Sequence, residues 1–284
     1  MSSDRIFGIS THLFHEQRLT REHLVHIAAH GFEAIELFAT RAHVDYHDRA
    51  MLAQIAEWLN DTRVELHSVH APIVDAIRNG EWVGSYSIAS GDETRRKAAV
   101  AEIRAAAEIA ATIPFRYLVV HIGMPAVENV PPGDNQPQAA RRSIEEIASI
   151  AEAAGVKVAL EVIGNALSEP VALVDLLEEQ LEEIDVGICL DYGHVNVMGD
   201  VADAIETLSG HIWTTHLHDN GGRRDDHLVP YAGAINWDNA MMQTQKVGYD
   251  GVLMFEVAGG TDPVATLQRC AKARERLEKT LIVF

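Results

Sequence analysis

Short apolar runs alternate with longer amphipathic stretches along the whole chain. Residues 6–10, 34–38, 64–70, 117–122, 157–163, 186–191, 212–218 and 252–257 have the length and apolar content of strands. After Asp48, residues Leu52, Ile55, Ala56 and Leu59 recur at helical spacing. Helices are likewise predicted over 20–30, 92–113, 139–154, 170–183, 201–208, 236–247 and 262–279, with Gly31 and Gly155 as stops. Eight strands, each followed by a helix, recur at intervals of roughly 30–40 residues, without an internal sequence repeat. Strict alternation implies a parallel sheet. Eight units in 284 residues fit a closed barrel. The predicted fold is therefore an α/β protein, a (β/α)8 TIM barrel forming a single domain over residues 1–284. An open doubly wound sheet competes, but no Gly-x-Gly-x-x-Gly follows the first strand. Two stretches interrupt the alternation. Residues 72–91, with Trp82, Gly84 and Tyr86, read as an irregular lid or substrate loop, and residues 123–137 include a Pro- and Gly-dense loop.

A barrel predicts where chemistry sits, because active sites occupy the C-terminal ends of its strands. The last polar residues of successive strands are His70, His121, Glu161, Asp191, His216 and Glu256. Glu36 lies on the second strand, with its phase unsettled. Alternation places Glu161 on the Ala159 face and Glu256 on the Met254 face, opposite the bulkier residues that would pack on helices. The stretch 215–227 concentrates the same chemistry. His216 and His218 point one way, Gly221-Gly222 turns the chain, and Asp225 and His227 return toward the site. A single strand-end histidine is more often structural than functional. Six ligand-type residues at six strand ends are different, since buried carboxylates without cations are costly. A divalent metal ion answers that cost.

Net charge is −19 with histidines neutral, which argues against a nucleic-acid partner. No apolar run approaches the roughly 20 residues of a membrane span, and the N-terminus lacks a signal-peptide pattern, so a cytoplasmic location is the default. Cys189 and Cys270 are far apart in apolar runs and are expected to be reduced and packed.

The segments Ser-Val-His70-Ala-Pro, Val-Val-His121-Ile-Gly, Leu-Glu161-Val, Cys-Leu-Asp191-Tyr-Gly-His194, His216-Leu-His-Asp, Asp225-Asp-His227 and Phe-Glu256-Val occur in this order. Together they resemble the xylose isomerase-like barrel superfamily, which includes sugar-phosphate isomerases and epimerases, inosose-processing enzymes and endonuclease IV. The resemblance spans essentially the full chain. In the ketose epimerase branch it implies one Mn-type ion held by Glu161, Asp191, His216 and Glu256, with the two glutamates doubling as acid and base. In the endonuclease branch it implies three zinc ions, with His70, His121, His194, Asp225 and His227 as added ligands. Two departures stand out. Tyr231-Ala232-Gly233 replaces a Gly-Glu-Gly-like segment, and Asn236-Trp237 stands where Asp-Trp is common.

The expected activity is that of a divalent-metal-dependent isomerase or epimerase acting on a sugar, sugar phosphate or polyol ketone through an enediolate. Glu161 and Glu256 would remove and return the proton alpha to the carbonyl. The metal would be Mn or Zn, with Mg or Co as alternatives. His70, His121, His194, Asp225 and His227 would bind substrate or further metal, and Arg223 or Arg224 would fix a hydroxyl, carboxylate or phosphate. A metal-dependent dehydratase or lyase on a related polyol and an endonuclease IV-like zinc phosphodiesterase are the alternatives. The expected partner is a small carbohydrate or polyol, without membrane or nucleic acid, and a homo-oligomer is compatible with the sequence.

Overall fold

The computed structural model describes residues 5–78, 81–126 and 130–282. Eight parallel strands close into a barrel. In chain order they are β1 (Phe7–Ser10), β2 (Ala34–Phe38), β3 (Glu65–His70), β6 (Tyr117–His121), β7 (Lys157–Glu161), β8 (Val186–Asp191), β9 (Ile212–Leu217) and β10 (Leu253–Phe255). Between β3 and β6, an antiparallel hairpin of β4 (Val74–Arg78) and β5 (Glu81–Ser85) lies outside the barrel. The stretch expected to be irregular over 72–91 thus contains regular structure, with Val74 paired to Ser85 and Ala76 to Val83. Alternation of buried and less buried positions across β4 accounts for it, and helical or barrel periodicity gave no sign of it. Residues 79–80 of that stretch, and 127–129 of the loop at 123–137, lie outside the described residues.

The surrounding helices are α1 (Arg21–Ala29), α2 (Arg49–Thr62), α3 (Glu93–Ala107), α4 (Pro137–Ala154), α5 (Pro170–Asp175), α6 (Tyr192–Met198), α7 (Val201–Thr207), α8 (Trp237–Lys246) and α9 (Pro263–Ile282). Their starts follow from side-chain caps. Asp48 accepts from the Ala50 and Met51 N–H groups, Asp92 from Thr94 and Arg95, and Asp200 from Ala202 and Asp203. The helix expected over 170–183 is shorter, passing into a π-turn at Leu176–Gln180. α6 was not foreseen. Asp191 ends β8 and at once caps α6, its Oδ1 accepting the His194 N–H at 2.7 Å.

The two faces of each strand carry different cores. Leu118, Val120, Val158, Leu160, Ile188, Leu190, Leu253 and Phe255 join the main cluster under the helices. Val119, Ala159 and Cys189 form a separate small cluster in the barrel interior, and Ala34, Val252 and Met254 form another. Small residues on the inner face leave room at the barrel mouth, where the side chains one period onward are Glu161 and Glu256. Gly8 serves the same packing, since a Cβ there would overlap Met254. Both cysteines are buried and free. Among the described residues no helix is long and apolar enough to cross a membrane.

Candidate metal centre

Barrel order brings β3, β6, β7, β8, β9 and β10 side by side, and these six strands carry the six strand-end residues in sequence. His121 is level with Glu161, and Asp191 is level with His216. Three groups of donor atoms result, each with its atoms within 4.8 Å of one another. The first is Glu161, Asp191, His216 and Glu256. The second is His70, His121 and Glu161. The third is His194, His218, Asp225 and His227. Glu161 belongs to two of them.

In the first group His216 is fully buried, and its Nδ1 lies 3.3 Å from Glu161 Oε1, 3.3 Å from Glu256 Oε2 and 3.8 Å from Asp191 Oδ2. In the second, His70 Nε2 and His121 Nε2 approach the same oxygen, Glu161 Oε2, at 3.2 and 3.1 Å. That oxygen is buried and receives no hydrogen bond. In the third, His194 Nε2 and His227 Nε2 lie 3.0 and 2.9 Å from Asp225 Oδ2. Three of the histidines are oriented from behind. Nδ1–H of His70 donates to the Ala71 carbonyl, that of His194 to Val162 and that of His227 to Glu256, at 2.9, 2.9 and 3.0 Å. Each therefore points Nε2 inward, the nitrogen that would be free to bind a metal once deprotonated.

The electrostatics point the same way. Among the described residues the ion-pair partners of Glu161, Asp191, Asp225 and Glu256 are all histidines. Burial opposes ionisation of Glu161, but His121 and His216 beside it hold its carboxyl well below the usual range. Burial likewise disfavours a charged His70, yet the Glu161 carboxylate outweighs this and raises it to about 9. For His227, Asp225 overcomes burial and raises it to about 10. Protons on His70 and His227 thus compensate the carboxylates, while burial holds His121 below its ordinary value, and a divalent cation would take the place of those protons. The oxygen and imidazole donors, a buried carboxylate oxygen without an aligned hydrogen bond among the described residues and the inward-pointing Nε2 atoms all fit such an ion.

A cavity of about 630 Å³ opens onto this cluster. His12, His70, His121, Glu161, His194, Asp225, His227 and Glu256 line its base, and Arg223 and Arg224 its rim. Arg224 is engaged by Asp226 at 3.0 Å. Phe38, Ile73 and Ile77 form an apolar wall, the last two on or beside the hairpin, so this segment borders the cavity as a lid would.

Every site residue expected from the sequence is brought to this mouth. Three others are there as well. His218 is buried, with Nε2 at 2.9 Å from Asp191 Oδ1. Its shared face with His216 was the available signal. His12 follows β1 directly and approaches the Val257 carbonyl through Nδ1 at 3.3 Å, and its ring lies 4.9 Å from that of His227. Glu36 lies wholly inside the barrel, which settles its phase. The departure at Asn236 is structural in effect. Asn236 caps α8 by accepting the Asn239 N–H, as an aspartate would, and Trp237 Nε1–H donates to Asp219 at 2.9 Å.

A family model described as xylose isomerase-like TIM barrel matches residues 24–280. The chain belongs to that family. This xylose isomerase-like barrel is 31% identical over 264 residues to an uncharacterized protein of Methanocaldococcus jannaschii, covering 89% of this chain and 84% of the relative. It is 22% identical to an inosose isomerase of Bacillus velezensis, covering 80% of this chain and 79% of that protein. Among solved structures it resembles a D-tagatose 3-epimerase-like protein, with 28% identity, a TM-score of 0.77, and coverage of 98% and 97% of the two chains. Its characterised homologues are thus sugar isomerases and epimerases.

Proposed function

We propose that this xylose isomerase-like barrel is a divalent-metal-dependent isomerase or epimerase of a ketose, sugar phosphate or polyol ketone such as an inosose. The observation that carries the reading is the convergence of Glu161, Asp191, His216 and Glu256, with His216 Nδ1 at 3.3 Å from each glutamate. These four residues would hold the ion, Mn or Zn by the chemistry of a mixed carboxylate and imidazole set. When bound, a divalent cation supplies Lewis-acid polarisation of a carbonyl and its neighbouring hydroxyl. Glu161 and Glu256 reach the mouth from strands separated by β8 and β9, so they approach a substrate carbon from different directions. One carboxylate would take the proton alpha to the carbonyl, and the other, starting as the carboxylic acid with a solvent-derived proton, would give that proton to the enediolate. His70 and His194 offer imidazole contacts to substrate hydroxyls, and Arg223 at the rim offers a forked contact to a distal hydroxyl or anionic group. The apolar wall of Phe38, Ile73 and Ile77 excludes water from above.

One observation favours a second reading. The donor groups around His70 and His121, and around Asp225, are complete, as hydrolysis of a phosphodiester by several zinc ions would need. The net charge of −19 opposes a nucleic-acid substrate. Metal analysis of protein purified without chelator, followed by turnover on a panel of ketoses, inososes and phosphodiesters, separates the two. One tight ion with ketose or inosose conversion supports the isomerase. Close to three zinc ions with phosphodiester cleavage overturns it.

A further inference from the structure

Glu36 lies inside the barrel yet belongs to none of the three donor groups. It is fully buried on β2, level with Ser10 on one side and Ser68 on the other. Its Oε2 accepts a hydrogen bond from Ser68 Oγ at 2.9 Å and lies 3.1 Å from His216 Nε2. Its Oε1 has no partner. Arg96 is the only fully buried lysine or arginine among the described residues, and it sits on α3, paired with Glu93 and Glu146. An isolated carboxylate in such a place is expensive, and removing it in favour of an apolar side chain would ordinarily stabilise a fold.

The geometry around His216 explains why it is there. The ring spans two environments: Nδ1 faces Glu161 and Glu256, and Nε2 faces Glu36. We propose that Glu36 is a positioning residue of the metal centre, accepting the His216 Nε2–H so that the Nδ1 lone pair is fixed toward Glu161, Asp191 and Glu256. A carboxylate behind the ring sets the tautomer, holds the ring plane and makes the inward nitrogen a better donor. Ser68 Oγ–H in turn holds the carboxylate, so the line Ser68, Glu36, His216 runs across the barrel interior from β3 through β2 to β9. His216 differs here from His70, His194 and His227, which are held by backbone carbonyls and present Nε2. This inference rests on the metal-centre reading above.

The test uses the full-length protein, stripped of metal and then titrated with Zn²⁺ and separately Mn²⁺ against a chromophoric chelator. Glu36→Gln keeps the shape and an oxygen acceptor but removes the charge. Glu36→Met removes the acceptor as well. Both should keep the wild-type far-ultraviolet circular dichroism, while metal affinity falls roughly 10- to 100-fold, with Met the more severe. Ser68→Ala should give a smaller loss in the same direction. Wild-type affinity in folded Glu36→Gln and Glu36→Met overturns the positioning role and leaves the metal centre standing. Should Glu36→Met not fold, Glu36→Gln decides alone. A wild-type protein that takes up neither metal overturns the metal centre and this inference together.

Discussion

Glu161 Oε2 lies 3.1 Å from His121 Nε2, is buried, and accepts no hydrogen bond. A carboxylate oxygen left in that state is costly unless a cation reaches it. Because Glu161 also belongs to the four-residue group, the two donor groups are not independent, and ions at both would share a carboxylate. The first ion is expected at the group with three carboxylates, and further ions more weakly. His121→Gln should therefore leave the tight stoichiometry, measured by elemental analysis after dialysis, at one, while abolishing weaker uptake at the group it shares with His70. Loss of the tight ion in this variant would place it at His121 instead.

Metal binding should stabilise the fold by mass action. At a free metal concentration 100 times the Kd the gain is about 2.7 kcal/mol, or roughly 5–10 °C in melting temperature for a domain of this size. EDTA should remove the shift. Glu161→Gln, with its buried oxygen no longer anionic, should bind more weakly without losing the ion and show a smaller shift at the same Zn²⁺ concentration in a thermal scan. An equal shift in this variant would exclude Glu161 from the site.

Part of the acid lability should arise away from the metal centre. His43 and His67 are buried, and desolvation pushes each down to about 4. Their folded values lie below the unfolded value of about 6.5, so the unfolded chain binds more protons between the two. Stability is complete above pH 6.5 and falls as pH drops toward 4, by about 1.4 kcal/mol per pH unit for each group. By pH 5 that is roughly 2 kcal/mol each. Urea midpoints of His43→Gln between pH 7 and 5 should fall less steeply than those of wild type, and parallel curves would remove His43 as a cause.

Gly193 offers a separation of fold from function. It lies in α6, and a Cβ there would overlap the His218 ring. Alanine suits a helix better than glycine by about 1 kcal/mol, so Gly193→Ala should fold. Displacing His218 takes its Nε2 from Asp191, where it stands 2.9 Å away. Metal affinity should fall by roughly 10-fold or more, read by chelator competition. An unchanged affinity would show His218 to be dispensable.

The barrel was legible because strand-to-helix alternation is a signal of period and length, and it survived both long loops. The site was legible for a related reason. Strand ends converge in a barrel, so residues remote in sequence, such as His70 and Glu256, could be assigned to one mouth from their places at the ends of strands. What escaped was local. α6 begins at Tyr192, directly after the residue that ends β8, leaving no gap for a strand-then-helix reading, and Asp191 is both strand end and cap. The hairpin β4–β5 packs Ile73, Val74 and Ile77 on Phe38 rather than on the main core. Glu36 could not be phased because every residue of β2 is buried: it shares one face with Ala34 and Phe38, and Ile35 and Leu37 make the other face apolar too, so hydrophobic alternation does not tell the two faces apart.

The central claim is that Glu161 and Glu256 exchange a substrate proton at this mouth. Turnover of the ketose and inosose panel in deuterium oxide, with metal-loaded wild type, Glu161→Gln and Glu256→Gln, tests it most directly. Wild type should place one solvent deuterium on the carbon alpha to the carbonyl. Each glutamine variant, with metal content verified, should lose turnover by ~100- to 10,000-fold, the usual contribution of general acid–base catalysis. Product formed without deuterium, or a metal-loaded glutamine variant with near-normal turnover, would contradict the two-carboxylate account.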